Sequence, residues 1–108
     1  MKDEIYELHA EICQTLGNPK RLRILNSLRT GERTVSELVP IIGIRKANLS
    51  QHLAVLRQTG IVSTRRRGTN IYYKLSNPKV IKACDIMREV LLENLKKKEK
   101  LIRGLEVR

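Results

Sequence analysis

Residues 43–75 read "GIRKANLSQHLAVLRQTGIVSTRRRGTNIYYKL", and from Arg45 to Ser76 no Asp or Glu occurs, although the chain has 11 acids in all. Placed at ~100° per residue, Leu49, Leu53 and Leu56 fall in one narrow arc, which predicts a helix over 46–58 that faces a core. Gly60 ends it. The opposite side presents Ala47, Ser50, Gln51, Ala54 and Gln58. An ordinary solvent-facing helix carries Lys and Glu pairs there; this one is small, neutral and hydrogen-bonding. Two strand-like runs follow, "IVSTRR" and "NIYYKL". Ile71, Tyr73 and Leu75 alternate with Tyr72 and Lys74, the periodicity of a strand. A hairpin over 61–75 is expected, turning at Arg67-Gly68-Thr69, where Gly68 permits a positive backbone angle.

Upstream, Ile5, Leu8, Ile12 and Leu16 recur at helical spacing, with a second stripe of Tyr6, His9 and Cys13 beside them. A helix over 3–16, buried on two sides by core and partner, is expected to stop near Gly17. Asn18-Pro19 reads as an N-cap followed by proline at the first helical position. Leu22, Leu25 and Leu28 then give a second helix. Thr34-Val35-Ser36-Glu37 is a capping box opening a short third helix with Val35, Leu38 and Ile42 inward and Pro40 in its last turn or kinking it. Gly43-Ile44 turns the chain into the 46–58 helix, the order of a helix-turn-helix. Asn77-Pro78 repeats the cap-plus-proline start, and Val80, Cys84, Met87, Leu91 and Leu95 mark a long fifth helix over 78–100. The expected fold is mainly α with a small β-hairpin: one domain over 1–108, a winged helix-turn-helix of about five helices plus a two-stranded wing.

The 22 basic and 11 acidic residues give a formal charge of +11, which favours polyanionic partners. The charge is concentrated. Arg45, Lys46, Arg57, Arg65, Arg66, Arg67 and Lys74 fall in the acid-free stretch, whereas residues 1–16 are acidic overall. Duplex DNA carries about one negative charge per 1.7 Å of axis, so a carboxylate facing it would be repelled. Small side chains let a helix lie close to base edges, where Gln51 can pair bidentately with adenine and Ser50 can serve several bases. Lys46, Ala47 and Asn48 occupy the first turn, where a recognition helix makes its first contacts; Arg45, just before it, can reach phosphate. Arg65, Arg66 and Arg67 bring guanidinium groups to the ribbon, suited to phosphate or a narrow minor groove. His52, bordering the leucine face, reads as packed or phosphate-touching.

Those stretches resemble the ArsR/SmtB (arsenic-repressor) family of winged helix-turn-helix regulators, over about residues 10–90. "LGNPKRLRILNSL" is similar to its second helix, "TVSELVPIIGIRKANLSQHLAVLRQTGIV" to its helix-turn-helix, and "RRRGTNIYYKL" to its wing. The resemblance implies a homodimer formed through the first and fifth helices, and repression at a palindromic operator relieved by an inducer. It also exposes departures. Thr34-Val35-Ser36 stands where many members carry Cys-x-Cys, so the soft-metal site is missing. Asn77, Lys79, Val90 and Glu93 stand where others carry a carboxylate and histidines, so that zinc site is missing too. No metal and no cofactor are expected. His9, Cys13 and Cys84 remain as a conceivable thiol or metal sensor if the first and fifth helices meet across a dimer; the competing reading of each cysteine is a small buried hydrophobe.

Other functions fit less well. A non-specific architectural DNA- or RNA-binding protein would need only the charge, but RNA modules stack bases on exposed aromatics, and Tyr6, Tyr72 and Tyr73 are the sole candidates here. An enzyme would need a nucleophile, a base and an orienting group together, which the scattered His and Cys do not supply. The "KKKEK" run at 96–100 reads as a solvated helix end. Two distant cysteines without CxxC suit a reducing cytoplasm, and no apolar run approaches a membrane span.

Overall fold

A computed structural model of the protein describes residues 2–106. The elements run α1 (Lys2–Leu16), α2 (Pro19–Ser27), β1 (Arg33–Thr34), α3 (Val35–Ile42), α4 (Lys46–Gln58), β2 (Val62–Arg67), β3 (Asn70–Leu75) and α5 (Lys79–Glu106). α1 to β3 belong to one compact unit and α5 makes the other. The fold is a winged helix-turn-helix.

Local chemistry sets the helix boundaries. The Asn18 side chain accepts from the backbone N–H groups of Lys20 and Arg21 at 2.9 and 3.2 Å, with Pro19 at the first position. At α3 the Thr34 hydroxyl accepts from Glu37 N–H at 3.2 Å while Thr34 N–H donates to the Glu37 carboxylate at 3.1 Å. Both orphan donors are thereby satisfied. Pro40 lies inside α3 and removes one backbone donor, but Pro40 and Ser36, one turn earlier, are both exposed. Gly43 closes α3 in the left-handed conformation, its N–H donating to Val39 O at 2.9 Å.

α4 ends in a Schellman arrangement. Gly60, at φ +76, donates to Arg57 O, and Ile61 N–H reaches back to Leu56 O at 2.9 Å. Ile61 and Leu56 are both buried, the apolar contact that accompanies this motif. The chain thus leaves α4 directly into β2.

β2 and β3 pair antiparallel from Val62↔Leu75 to Arg67↔Asn70. Gly68, at φ +64, is the sole positive-φ residue of the Gly68-Thr69 connection, as a type II′ hairpin turn requires. The expected wing of two strands is joined by a third. β1 pairs Arg33↔Tyr73 and Thr34↔Tyr72 on the free edge of β3. The N-cap of α3 must be extended, and Thr34 is (φ −83, ψ 164); the same backbone serves as strand. Two residues carry no periodicity, so the sequence did not reveal it.

The core of this unit is aliphatic: Ile24, Leu25, Leu28, Leu38, Ile42, Leu49, Leu53, Leu56, Ile61 and Val62 are buried. Each such side chain contributes about 1.5–3 kcal/mol. Of the two covers expected for α1, core and partner, the chain itself supplies little. Ile5, Tyr6, Leu8 and Ile12 are all exposed, and Thr15 alone is buried. α1 packs against α2 near its end only. α5 is longer than the expected 78–100, continuing to Glu106. Residues 96–103 are mostly good helix formers, and a 2.6 Å Glu99–Arg103 pair one turn apart supports them.

Arg21 connects α2 to its neighbours. Its Nε donates to His52 Nδ1 at 3.2 Å and its Nη1 to the Thr15 carbonyl at 3.4 Å. Partial burial, then Arg21 and Lys20, push the His52 imidazole below its ordinary pKa. The folded state therefore disfavours His52 protonation and the unfolded chain does not. Stability is full above the unfolded value of about 6.5 and falls as pH drops through it toward the folded value. Urea titrations between about pH 7.5 and 5 should show this loss, and His52→Asn, which keeps an acceptor but no titrating group, should remove it. In the same assay Gly60→Ala should cost about 1–2 kcal/mol, the penalty of a left-handed side-chain-bearing residue.

Candidate nucleic-acid interface

The fixed contacts of α4 assign its faces. Leu49, Leu53 and Leu56 are wholly buried. At ~100° per residue, Ala47, Gln51, Ala54 and Gln58 lie on the opposite side, and all are exposed. His52 faces α2 through Arg21, so Asn48, on the same flank, leans that way and is also exposed. The other flank carries Lys46, Ser50 and Arg57. It faces the sheet, because Ser50, Ala54, Arg57, Gln58 and Tyr73 line one groove of about 450 Å³. Ser50, read from sequence as part of the outward face, thus belongs to the edge of it nearest the wing. Arg45 is the N-cap residue, exposed, and its side chain makes no cap bond.

Strand register divides the wing arginines. Residues directly opposite in an antiparallel pair share a face. Val62/Leu75, Thr64/Tyr73 and Arg66/Ile71 form one face; Ser63/Lys74, Arg65/Tyr72 and Arg67/Asn70 form the other. Val62 is buried and Tyr73 lines the groove beside α4. Arg66, two residues closer to the tip, therefore stands on the side of the ribbon that looks toward α4.

Arg65 is engaged differently from its neighbours. Its Nε donates to both carboxylate oxygens of Glu32 at 3.0 and 2.7 Å, and its Nη2 makes a further contact to Oε1. The guanidinium also lies 5.1 Å from the centre of the Tyr72 ring. The hydrogen bond from Arg65 holds the Glu32 carboxyl below the usual carboxylate range, with added attraction from Lys74 and Arg67, and Glu32 in turn raises Arg65. An acid thus stands beside the wing even though the 45–76 sequence has none. Among the described residues Arg45, Lys46, Arg57, Arg66 and Arg67 make no ion pair. Three residues beside this surface are absent from the sequence-derived site: Glu32, Arg57 and Tyr73. Strand alternation marks Tyr73, and helical spacing puts Arg57 seven residues beyond Ser50; no local signal marks Glu32.

His9 and Cys13 are exposed on α1, and Cys84 is half-buried on α5. Cys13 is therefore no buried hydrophobe in this chain. Among the described residues no three His, Cys, Asp or Glu side chains gather as a metal site, and no helix is long and apolar enough to cross a membrane.

Known proteins share this architecture. Residues 18–64 match the model of the bacterial regulatory protein arsR family. The uncharacterized HTH-type transcriptional regulator Rv0081 of Mycobacterium tuberculosis is 39% identical over 90 residues, covering 82% of this chain and 79% of that protein. Its crystal structure superposes with a TM-score of 0.80 at 38% identity, over 87% of this chain and 95% of that one. The homodimeric winged helix-turn-helix DNA-binding domain Mb0332 of Mycobacterium bovis gives a TM-score of 0.80 at 30% identity over 88% of each chain. A biofilm growth-associated repressor of Agrobacterium fabrum is 40% identical over 78 residues, 72% of this chain and 67% of its own. With its winged helix-turn-helix fold, the chain belongs to the ArsR family of bacterial transcriptional regulators and is a DNA-binding protein, not an enzyme.

Proposed function

We propose that the protein is a homodimeric repressor that recognises a palindromic operator through a single winged-helix DNA-binding domain per chain. α4 enters the major groove and the wing meets the backbone or minor groove beside it. The observation that carries this is the pairing of a neutral, hydrogen-bonding α4 surface with cations that make no ion pair among the described residues. Ala47, Gln51, Ala54 and Gln58 present no charge, while Arg45 and Lys46 stand at the start of α4 and Arg66 on the face of the ribbon toward it. Gln51 suits adenine, and Ala47 and Ala54 suit thymine methyl groups. Asn48 remains in the first turn as a further base contact. Arg66 and Arg67 serve phosphate or the minor groove, and Arg65 contributes only what Glu32 leaves free.

Dimerisation is supported by apolar side chains that the single chain leaves in water. On α1 these are Ile5, Tyr6, Leu8 and Ile12; on α5 they include Met87, Leu91, Leu95 and Ile102. Contiguous exposed apolar surface marks an interaction site, and the homodimeric relative supports a second copy as the occupant. α1 and α5 are thus the dimerisation elements. Two α4 helices then read half-sites about 34 Å apart. Repression is supported by the Agrobacterium repressor relative, and work on chromosomal DNA belongs to the cytoplasm.

Selection from a random duplex pool should return an inverted repeat; half-sites with no fixed spacing would overturn the symmetric dimer. On the selected operator, Gln51→Ala should lose about 1–3 kcal/mol of discrimination at one base pair. Arg66→Ala should weaken operator and random DNA alike and reduce the log–log salt slope by about 0.9. Glu32→Gln should tighten binding to all duplexes and steepen that slope, because it releases Arg65 and removes an acid beside the wing. Fluorescence anisotropy over a salt series measures all of these.

A further inference from the structure

The apolar stripe of α5 has a cation in its middle. At ~100° per residue, Met87, Leu91, Lys98, Leu101, Ile102 and Leu105 share an arc of about 100°, and Lys98 lies near its centre. No acid of α5 falls in that arc, and Glu99, the nearest in sequence, is already paired with Arg103. Lys98 is exposed and makes no ion pair among the described residues. Beyond it the stripe continues: Leu101, Ile102 and Leu105 are 69%, 55% and 74% exposed. From Leu91 to Leu105 it runs about 21 Å. When apolar cover reaches such a stripe, it either stops short of the lysine or brings an acid to it, because an unpaired charge enters an interface only at a large cost. Three large, contiguous apolar side chains past Lys98 favour the second outcome. The matching acids stand on α1. Glu4 and Glu11 lie within about 20° of each other around that helix and border Leu8, at the edge of its exposed Ile5, Leu8 and Ile12 ridge. Both acids are exposed, and neither makes an ion pair among the described residues.

We propose that the surface joining two copies continues along α5 to Leu105, and that Lys98 of each copy is clasped there by Glu4 and Glu11 on α1 of the other copy. The inference rests on the reading above, that α1 and α5 are the dimerisation elements; it adds which side chains choose the partner. By two-fold symmetry the clasp occurs twice in each dimer. Apolar stripes alone discriminate poorly, since one leucine ridge covers another. A cation set within the stripe changes that. A related regulator that brings a similar ridge but no acid leaves the ammonium unpaired, and a mixed dimer is penalised. Lys98, Glu4 and Glu11 are therefore specificity-determining residues for self-association. Lys96, Lys100 and Arg103 lie on the opposite side of α5, are exposed, and take no part in the clasp.

The full-length protein is tested by sedimentation equilibrium, which reads the dimer dissociation constant. Lys98→Glu should weaken the dimer roughly a hundredfold, about tenfold for each of the two clasps. Glu4→Lys/Glu11→Lys should weaken it by a similar factor. Glutamate and lysine are both good helix formers and the three positions are exposed, so circular dichroism should show unchanged helix. Mixed in equal amounts, the two weakened proteins should associate with wild-type affinity as a heterodimer, because each copy then offers the charge that the other lacks. A contact within one chain would give no such recovery. Leu101→Gln/Leu105→Gln should weaken the dimer at least tenfold, about the effect of withholding one leucine from burial. Wild-type dissociation constants for Lys98→Glu and for the leucine variant would overturn the proposal while leaving the dimer itself intact. A weakened Lys98→Glu that fails to recover in the mixture would overturn the assignment of Glu4 and Glu11. If the wild-type chain sediments as a monomer at every concentration, the dimer reading falls and the clasp with it. Should a charge variant lose helix, the leucine variant decides the question alone.

Discussion

Everything at the DNA-facing surface depends on how α4 is held, and its leucine face and its last turn hold it. Leu49, Leu53 and Leu56 are completely buried, so rotating α4 about its axis would bring them into water at a cost of several kcal/mol. The Ile61 N–H to Leu56 O bond and the positive φ of Gly60 then dictate where the chain goes next. The wing stands beside α4 because the exit turn is fixed, and the Ser76 N–H to Ile61 O bond closes the hairpin base against the same residue. A helix locked in rotation, with a ribbon locked beside it, is what allows a few exposed side chains to hold a constant geometry.

Charge count and contact count are different quantities in this protein. Of its 22 basic residues, several are occupied within the fold. Arg21 reaches His52 and the end of α1; Arg33 donates to the Ser27 carbonyl at 2.8 Å, where α2 ends. Arg65 is held by Glu32. Arginines at helix C-termini satisfy carbonyls that would otherwise lack partners. Arg45, Lys46, Arg57, Arg66 and Arg67 make no ion pair among the described residues. A pair as exposed as Arg65–Glu32 is worth little to stability; its effect is to subtract one free cation from the wing and to keep a carboxylate there.

The difference between local and distant information explains which features were legible in the sequence. α4 has the bounds that its leucine spacing and Gly60 implied, and the Thr34–Glu37 box and the Asn18-Pro19 start appear as read. These signals involve residues within a few positions of one another. Strand alternation likewise placed Tyr73 and Tyr72 on opposite faces. What escaped reading was long-range. Arg65 meets Glu32 across 33 positions and Arg21 meets His52 across 31. β1 is too short to have a period. The stripes of α1 are a signal of another kind: periodicity says that a face seeks cover without saying whether the core or a partner supplies it.

That last point bears on how regulation is organised. A helix that leaves Ile5, Leu8 and Ile12 in water holds apolar area whose burial by a second copy would add stability to the assembly and not to the isolated chain. Folding and association then share one free energy, and protein concentration enters the stability itself. In the proposed dimer operator binding draws on the same store, since two α4 helices on one rigid pair present the second half-site at a high effective concentration. In the proposed symmetric dimer every base contact and every phosphate contact occurs twice, so association scales discrimination and electrostatic hold together.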